Sequence, residues 1–72
     1  MESIKYDYSK LLGRIRELHL TQANVAAFAH ISETTLRNKL KSETYFSVPQ
    51  IEAIMQMLHI PLSEIEPYFF TH

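Results

Sequence analysis

Seventy-two residues suffice for one small domain and leave no room for a second, so residues 1–72 are read as a single unit. The absence of cysteine excludes disulfides and cysteine-based zinc sites, and no apolar run approaches the roughly 20 residues that span a bilayer. The formal net charge of −1 speaks, taken alone, against nucleic acid as a partner.

No stretch alternates at period two for long, whereas helical spacing recurs throughout, which predicts an all-α chain. Asp7 is placed to cap a first helix that stacks Leu11, Ile15 and Leu18 on one face. Gly13 within it costs about 1 kcal/mol relative to alanine. Thr21 then caps a short helix from Gln22 to Ala29, with Val25, Ala26 and Ala29 facing inward. After His30-Ile31, Ser32 caps a third helix carrying Leu36 and Leu40. Ser47-Val48-Pro49-Gln50 reads as a capping box with proline in the first turn, opening a fourth helix with Ile51, Ile54, Met55 and Leu58. Pro61 is expected to stop that helix and open a last short one through Ile65, which Pro67 ends. Met55 and Met57 read as helix packing, and Tyr68-Phe69-Phe70 as closing the core against Tyr6 or Tyr8. If those aromatics are exposed instead, they form the kind of apolar patch that marks a protein interface.

Charge is polarised along this order. Residues 14–41 hold five Lys and Arg against Glu17 and Glu33, a net of +3, while residues 42–72 hold Glu43, Glu52, Glu64 and Glu66 with no Lys or Arg. Ordinary solvated surface is the bland alternative. The opening Met-Glu-Ser-Ile-Lys lacks the apolar stretch of a secretory leader, and together with the missing cysteines this points to a cytoplasmic protein.

Residues 21 to 40 carry the most information. Two short helices that cross steeply need a small residue where the backbones approach, apolar anchors on both inner faces, a tight turn and a cap for each helix. Ala26 takes the first role and Val25, Ala29, Ile31, Leu36 and Leu40 the second, with Thr21 and Ser32 as caps. The result is a helix-turn-helix over about residues 21–41. On the outer side of its second helix stand Glu33, Thr34, Arg37, Asn38 and Lys41. Arg37 has the fork that fits guanine O6 and N7, and Asn38 the amide that fits adenine N6 and N7. Ser32, Lys39 and Lys41 are candidate phosphate contacts. For each of them a solvated side chain is the competing reading. The four histidines share no zinc-ligand spacing, and no nucleophile, acid–base couple or phosphate loop stands out. An enzyme, a cofactor, a metal and a small-molecule substrate are therefore not expected.

The Thr21-Gln22 opening, the inward Ala26 and Ile31-Ser32 before the third helix resemble the Cro/CI family of phage and bacterial regulators. The likeness continues through Phe46-Ser47 and Leu58-His59-Ile60-Pro61-Leu62-Ser63-Glu64-Ile65. More narrowly, the chain resembles the small modulator-of-repression proteins of temperate phages of lactic-acid bacteria. These resemblances imply a compact five-helix, lambda-repressor-like domain in a bacterial host's cytoplasm. They imply an anti-repressor that binds and inactivates a CI-type repressor and favours lytic growth, or alternatively a Cro-like repressor with helix 3 in the major groove of operator DNA. Gln22 matches the family position that contacts phosphate and braces the recognition helix. Two positions depart from the broad pattern. His30 stands where glycine is usual, which predicts a strained left-handed residue or an altered turn. Glu33 opens the recognition helix, where its carboxylate repels phosphate unless it accepts from cytosine N4.

Overall fold

The computed structural model describes residues 5–72; Met1 to Ile4, on which the reading of the opening as lacking an apolar leader falls, lie outside that range. The helices are α1 (Ser9–Glu17), α2 (Gln22–Phe28), α3 (Glu33–Leu40), α4 (Val48–Met57) and, after a 3-10 turn at Leu62–Glu64, α5 (Ile65–Phe69). No strand occurs among the described residues, so the chain has the five-helix, all-α architecture expected.

Caps fix where the helices start. The Thr21 hydroxyl accepts from the Asn24 N–H at 3.1 Å while the Asn24 amide oxygen accepts from the Thr21 N–H at 2.9 Å. Ser47 and Gln50 close the same reciprocal box on α4, with Pro49 in its first turn. Ser32 accepts from the Thr35 N–H at 3.0 Å. The expectation for α1 needs correction. Its first helical bond closes on the Tyr8 carbonyl, which makes Tyr8 rather than Asp7 the N-cap. Asp7 instead accepts from both the Ser9 N–H, at 2.8 Å, and the Ser9 hydroxyl, at 2.5 Å. That turn, the hydroxyl bond foremost, holds the Asp7 carboxyl below its ordinary value.

The helix ends follow one rule. α1, α2, α3 and α4 are each followed by a left-handed residue that is not glycine: His19 (φ 57°), His30 (φ 61°), Ser42 (φ 61°) and His59 (φ 57°). Each is the C′ residue of a Schellman motif. After α1, the His19 N–H reaches the Arg16 carbonyl and the Leu20 N–H that of Ile15; after α4, His59 reaches Gln56 and Ile60 reaches Met55. An apolar residue follows each histidine and packs back on the core: Leu20, Ile31 and Ile60. The strain foreseen at His30 is thus present, and it recurs three times. This chemistry corrects two boundaries. α2 stops at Phe28, with Ala29 as its C-cap, because the motif at His30 ends it. α4 stops at Met57, ahead of Pro61, for the same reason, and Pro61 serves as the extended residue before the 3-10 turn. Pro67 does not end α5 but sits in its first turn, where a missing N–H costs nothing.

The inner faces meet in one core. Leu11, Val25, Leu36, Ile54, Met55, Leu58 and Phe69 are all under 2 % exposed, and Ala26 is 2 % exposed in the same cluster as Leu36 of α3. Arg14 ties α1 to the end of α4 by donating from Nε to the Leu58 carbonyl at 3.0 Å. A methyl added at Gly13 would meet nothing within 4 Å, so the glycine is not demanded by packing.

Candidate functional site

Two surfaces carry unusual side chains. The first is the outer face of α3 with the start of α2. Glu33 and Arg37, one helical turn apart, pair at 2.7 Å, and both side chains are well exposed. An exposed pair of this spacing is worth only about 0.3–0.5 kcal/mol, so a base or carboxylate from a partner can draw Arg37 away. The Glu33 carboxylate stays at the head of the helix in either case. Thr34 is exposed and Asn38 half-buried. Gln22, Arg37 and Lys41 border a shallow groove floored by Leu12 and Leu40, which brings three of the sequence-derived residues together.

Two other candidates are turned to different work. Lys39 is half-buried, donates from Nζ to the Tyr45 carbonyl at 2.9 Å and lies 6.0 Å from the centre of the Phe46 ring. It braces the loop after α3 rather than standing out towards a phosphate. The Ser32 hydroxyl accepts from Thr35 and gives its proton to the Thr35 hydroxyl at 2.8 Å, so the donor a phosphate needs is already engaged.

The second surface was not foreseen as a unit. Seven of the eight Tyr and Phe residues fall in three short segments, 6–8, 45–46 and 68–70. The fold brings these segments together at one end. Edge-on ring contacts join Phe46 to Phe69 at 5.5 Å, Tyr8 to Phe46 at 5.6 Å and Tyr6 to Phe70 at 5.7 Å. Tyr6 also meets Tyr45 at 6.0 Å and the His72 imidazole at 5.0 Å. Such pairs add about 0.5–1.5 kcal/mol each beyond the area they bury. Burial pushes the Tyr8 phenol up from its ordinary value. The closing aromatics divide the two roles the sequence offered. Phe69 is 1 % exposed and closes the core, whereas Phe70 is 43 % and Tyr45 47 % exposed beside a cleft of about 80 Å³. Tyr68 is half-buried with the Lys10 ammonium 4.9 Å from its ring centre. The expectation that the closing aromatics pack against Tyr6 or Tyr8 holds in the Tyr6–Phe70 and Tyr8–Phe69 contacts and lacks only Tyr45 and Phe46.

Among the described residues, no three His, Asp or Glu side chains gather as a metal site would require, and no helix is long and apolar enough to cross a membrane. Residues 4–72 match a family described as "Protein of unknown function (DUF739)". The chain is also similar to the solution structure of the modulator of repression (MOR) of the temperate bacteriophage TP901-1 from Lactococcus lactis. The two are 36% identical over 96% of this chain and 93% of that one, with a TM-score of 0.76. The chain belongs to the modulator-of-repression family. No curated protein matches it. The likeness to the modulator of repression takes in nearly the whole chain, so the α3 face and the aromatic end both fall within it.

Proposed function

We propose that this chain regulates a phage lysis–lysogeny switch as an anti-repressor. It binds the DNA-reading domain of a CI-type repressor, keeps that domain from its operator and so favours lytic growth. It acts in the cytoplasm of the bacterial host as a binding module, without catalysis or a cofactor. The observation that carries this reading is the charge of the α3 face. Glu33 heads the helix, Lys39 is held on the following loop, and only Arg37 and Lys41 remain as outward cations. Affinity for DNA scales with the number of phosphates neutralised, and so few cations supply little of it. A mixed-charge helix face suits a basic protein surface better than a polyanion.

Anchors are also at hand. Tyr45, on the loop that leaves α3, and Phe70, the C-cap of α5, present half-exposed rings beside one cleft, aromatic types that are enriched in protein interfaces. The acidic C-terminal half adds an attractive potential for a basic partner, which raises the association rate. Operator binding in the Cro manner is the second reading. Its support is the groove shared by Gln22, Arg37 and Lys41, with Asn38 on the same helix as Arg37.

The test is a titration of the chain into labelled operator DNA, with and without the CI-type repressor, at two salt concentrations. Anti-repression predicts weak binding to DNA alone and release of DNA from the repressor. Tight, steeply salt-dependent binding to DNA alone would reverse the order of the two readings. Arg37→Ala separates them further. Guanine readout predicts a loss of about 1–3 kcal/mol confined to one base position, and its absence there removes that role for Arg37.

A further inference from the structure

Ser42 is the one buried polar residue among those described, at 2 % exposure. It is also left-handed, φ 61°, a conformation in which glycine or asparagine costs least. The three other left-handed residues, His19, His30 and His59, are all exposed. Burial with strain needs a separate reason, and the hydroxyl provides it. Ser42 Oγ accepts the Tyr6 N–H at 3.0 Å, a bond that joins the residue after the α3 C-cap to the N-terminal strap, 36 positions away. Tyr6 is the hub of the aromatic end: its ring meets those of Tyr8, Tyr45, Phe70 and His72. Glycine at this position would relieve the backbone but release the strap, leaving it the bond from the Asp7 N–H to the Thr71 carbonyl.

We propose that Ser42 is a positioning residue for partner binding: its hydroxyl fixes Tyr6, and through Tyr6 it sets the aromatic cleft beside the C-terminal end of α3. Lys39 holds a second residue of the same cleft, Tyr45, through its carbonyl. Two residues of the α3 segment thus shape the aromatic surface without themselves touching a partner. This assignment rests on the reading of that surface as a partner anchor, so its test carries one arm that does not need the partner.

The experiment compares Ser42→Gly with Ser42→Ala, since only the first relieves the left-handed backbone while both remove the acceptor. Thermal stability is expected to be higher for Ser42→Gly than for Ser42→Ala. Hydrogen exchange of the Tyr6 amide is expected to accelerate about tenfold in both, the loss of one part-buried hydrogen bond. Affinity for the DNA-binding domain of the CI-type repressor is expected to fall about three- to tenfold in both, tracking the hydroxyl and not the stability. Wild-type affinity in Ser42→Gly, or a Tyr6 amide as protected as in the wild type, would overturn the assignment. If the wild-type chain does not bind the repressor domain, the anti-repressor reading falls, and the exchange arm alone decides whether Ser42 holds Tyr6.

Discussion

The α2–α3 pair and the aromatic end are built on opposite principles. Each part of α2–α3 is specified within a few residues: Thr21 with Asn24, Ser32 with Thr35, Glu33 with Arg37, Ala26 between Val25 and Ala29. The aromatic end joins segments 6–8, 45–46 and 68–70 and has no local logic; Tyr6 finds its acceptor 36 residues away. The first surface is polar, ordered by caps and outward-facing. The second is apolar, ordered by rings packed edge to face, and only partly covered. A local design tolerates change one residue at a time, whereas a long-range one depends on the whole fold.

The sharpest way to break the comparison is Phe69→Ala. Removing a ring that is 1 % exposed and contacts Tyr8 and Phe46 should cost about 3–5 kcal/mol, a large share of what a domain this small has. Chemical denaturation measures it, and a cost under about 1 kcal/mol would mean that the aromatic end is not part of the cooperative core. Ala26→Leu tests the other region. Forcing a larger side chain into the core position on α2 should cost about 1–3 kcal/mol by the same assay. Tolerance without loss would mean that α2 and α3 do not approach closely there.

A smaller effect has the opposite sign. His30→Gly relieves a left-handed residue that is exposed, so stability should rise by about 1 kcal/mol, which is roughly 4–8 °C in melting temperature for a domain of this size. A lower melting temperature would show that the imidazole does something the backbone does not reveal. The smallest effect is that of pH on Asp7. Its folded value is depressed by the Ser9 bonds, so its contribution is present above the ordinary 3.8 and fades as pH falls from there through the folded value. Asp7→Asn should flatten that part of the melting-temperature profile, and an unchanged slope would assign the acid sensitivity elsewhere.

The contrast also explains what was legible in the sequence. Helix starts are written locally, and Thr21, Ser32 and Ser47 were readable because a hydroxyl three residues ahead of its partner is enough. Ala26, Leu36 and Ile54 were readable because spacing alone sets the inward face. Helix ends were harder. The general cue is glycine, and here Leu18-His19-Leu20, Ala29-His30-Ile31 and Leu58-His59-Ile60 do the work with histidine between apolar residues. That repeated triplet was visible but has no standard meaning, so the end of α4 was assigned to Pro61. The α3 face was legible as a set of residue types and not as a set of partners. Helical spacing puts Glu33 and Arg37 within reach of each other, but nothing local tells that Lys39 bends onto the Tyr45 carbonyl. Still less does it tell that Tyr45 and Phe46 join the tail aromatics.

Which macromolecule meets these two surfaces decides between the two functions. The direct measurement is a backbone-amide NMR titration of the labelled chain with the unlabelled DNA-binding domain of the CI-type repressor, and separately with operator DNA. Saturable shifts at Glu33, Thr34, Arg37 and Asn38 together with Tyr45 and Phe70 are predicted for the repressor domain, with weak and salt-sensitive shifts for DNA. Saturation by DNA alone, with no response at any of those residues to the repressor domain, would contradict anti-repression.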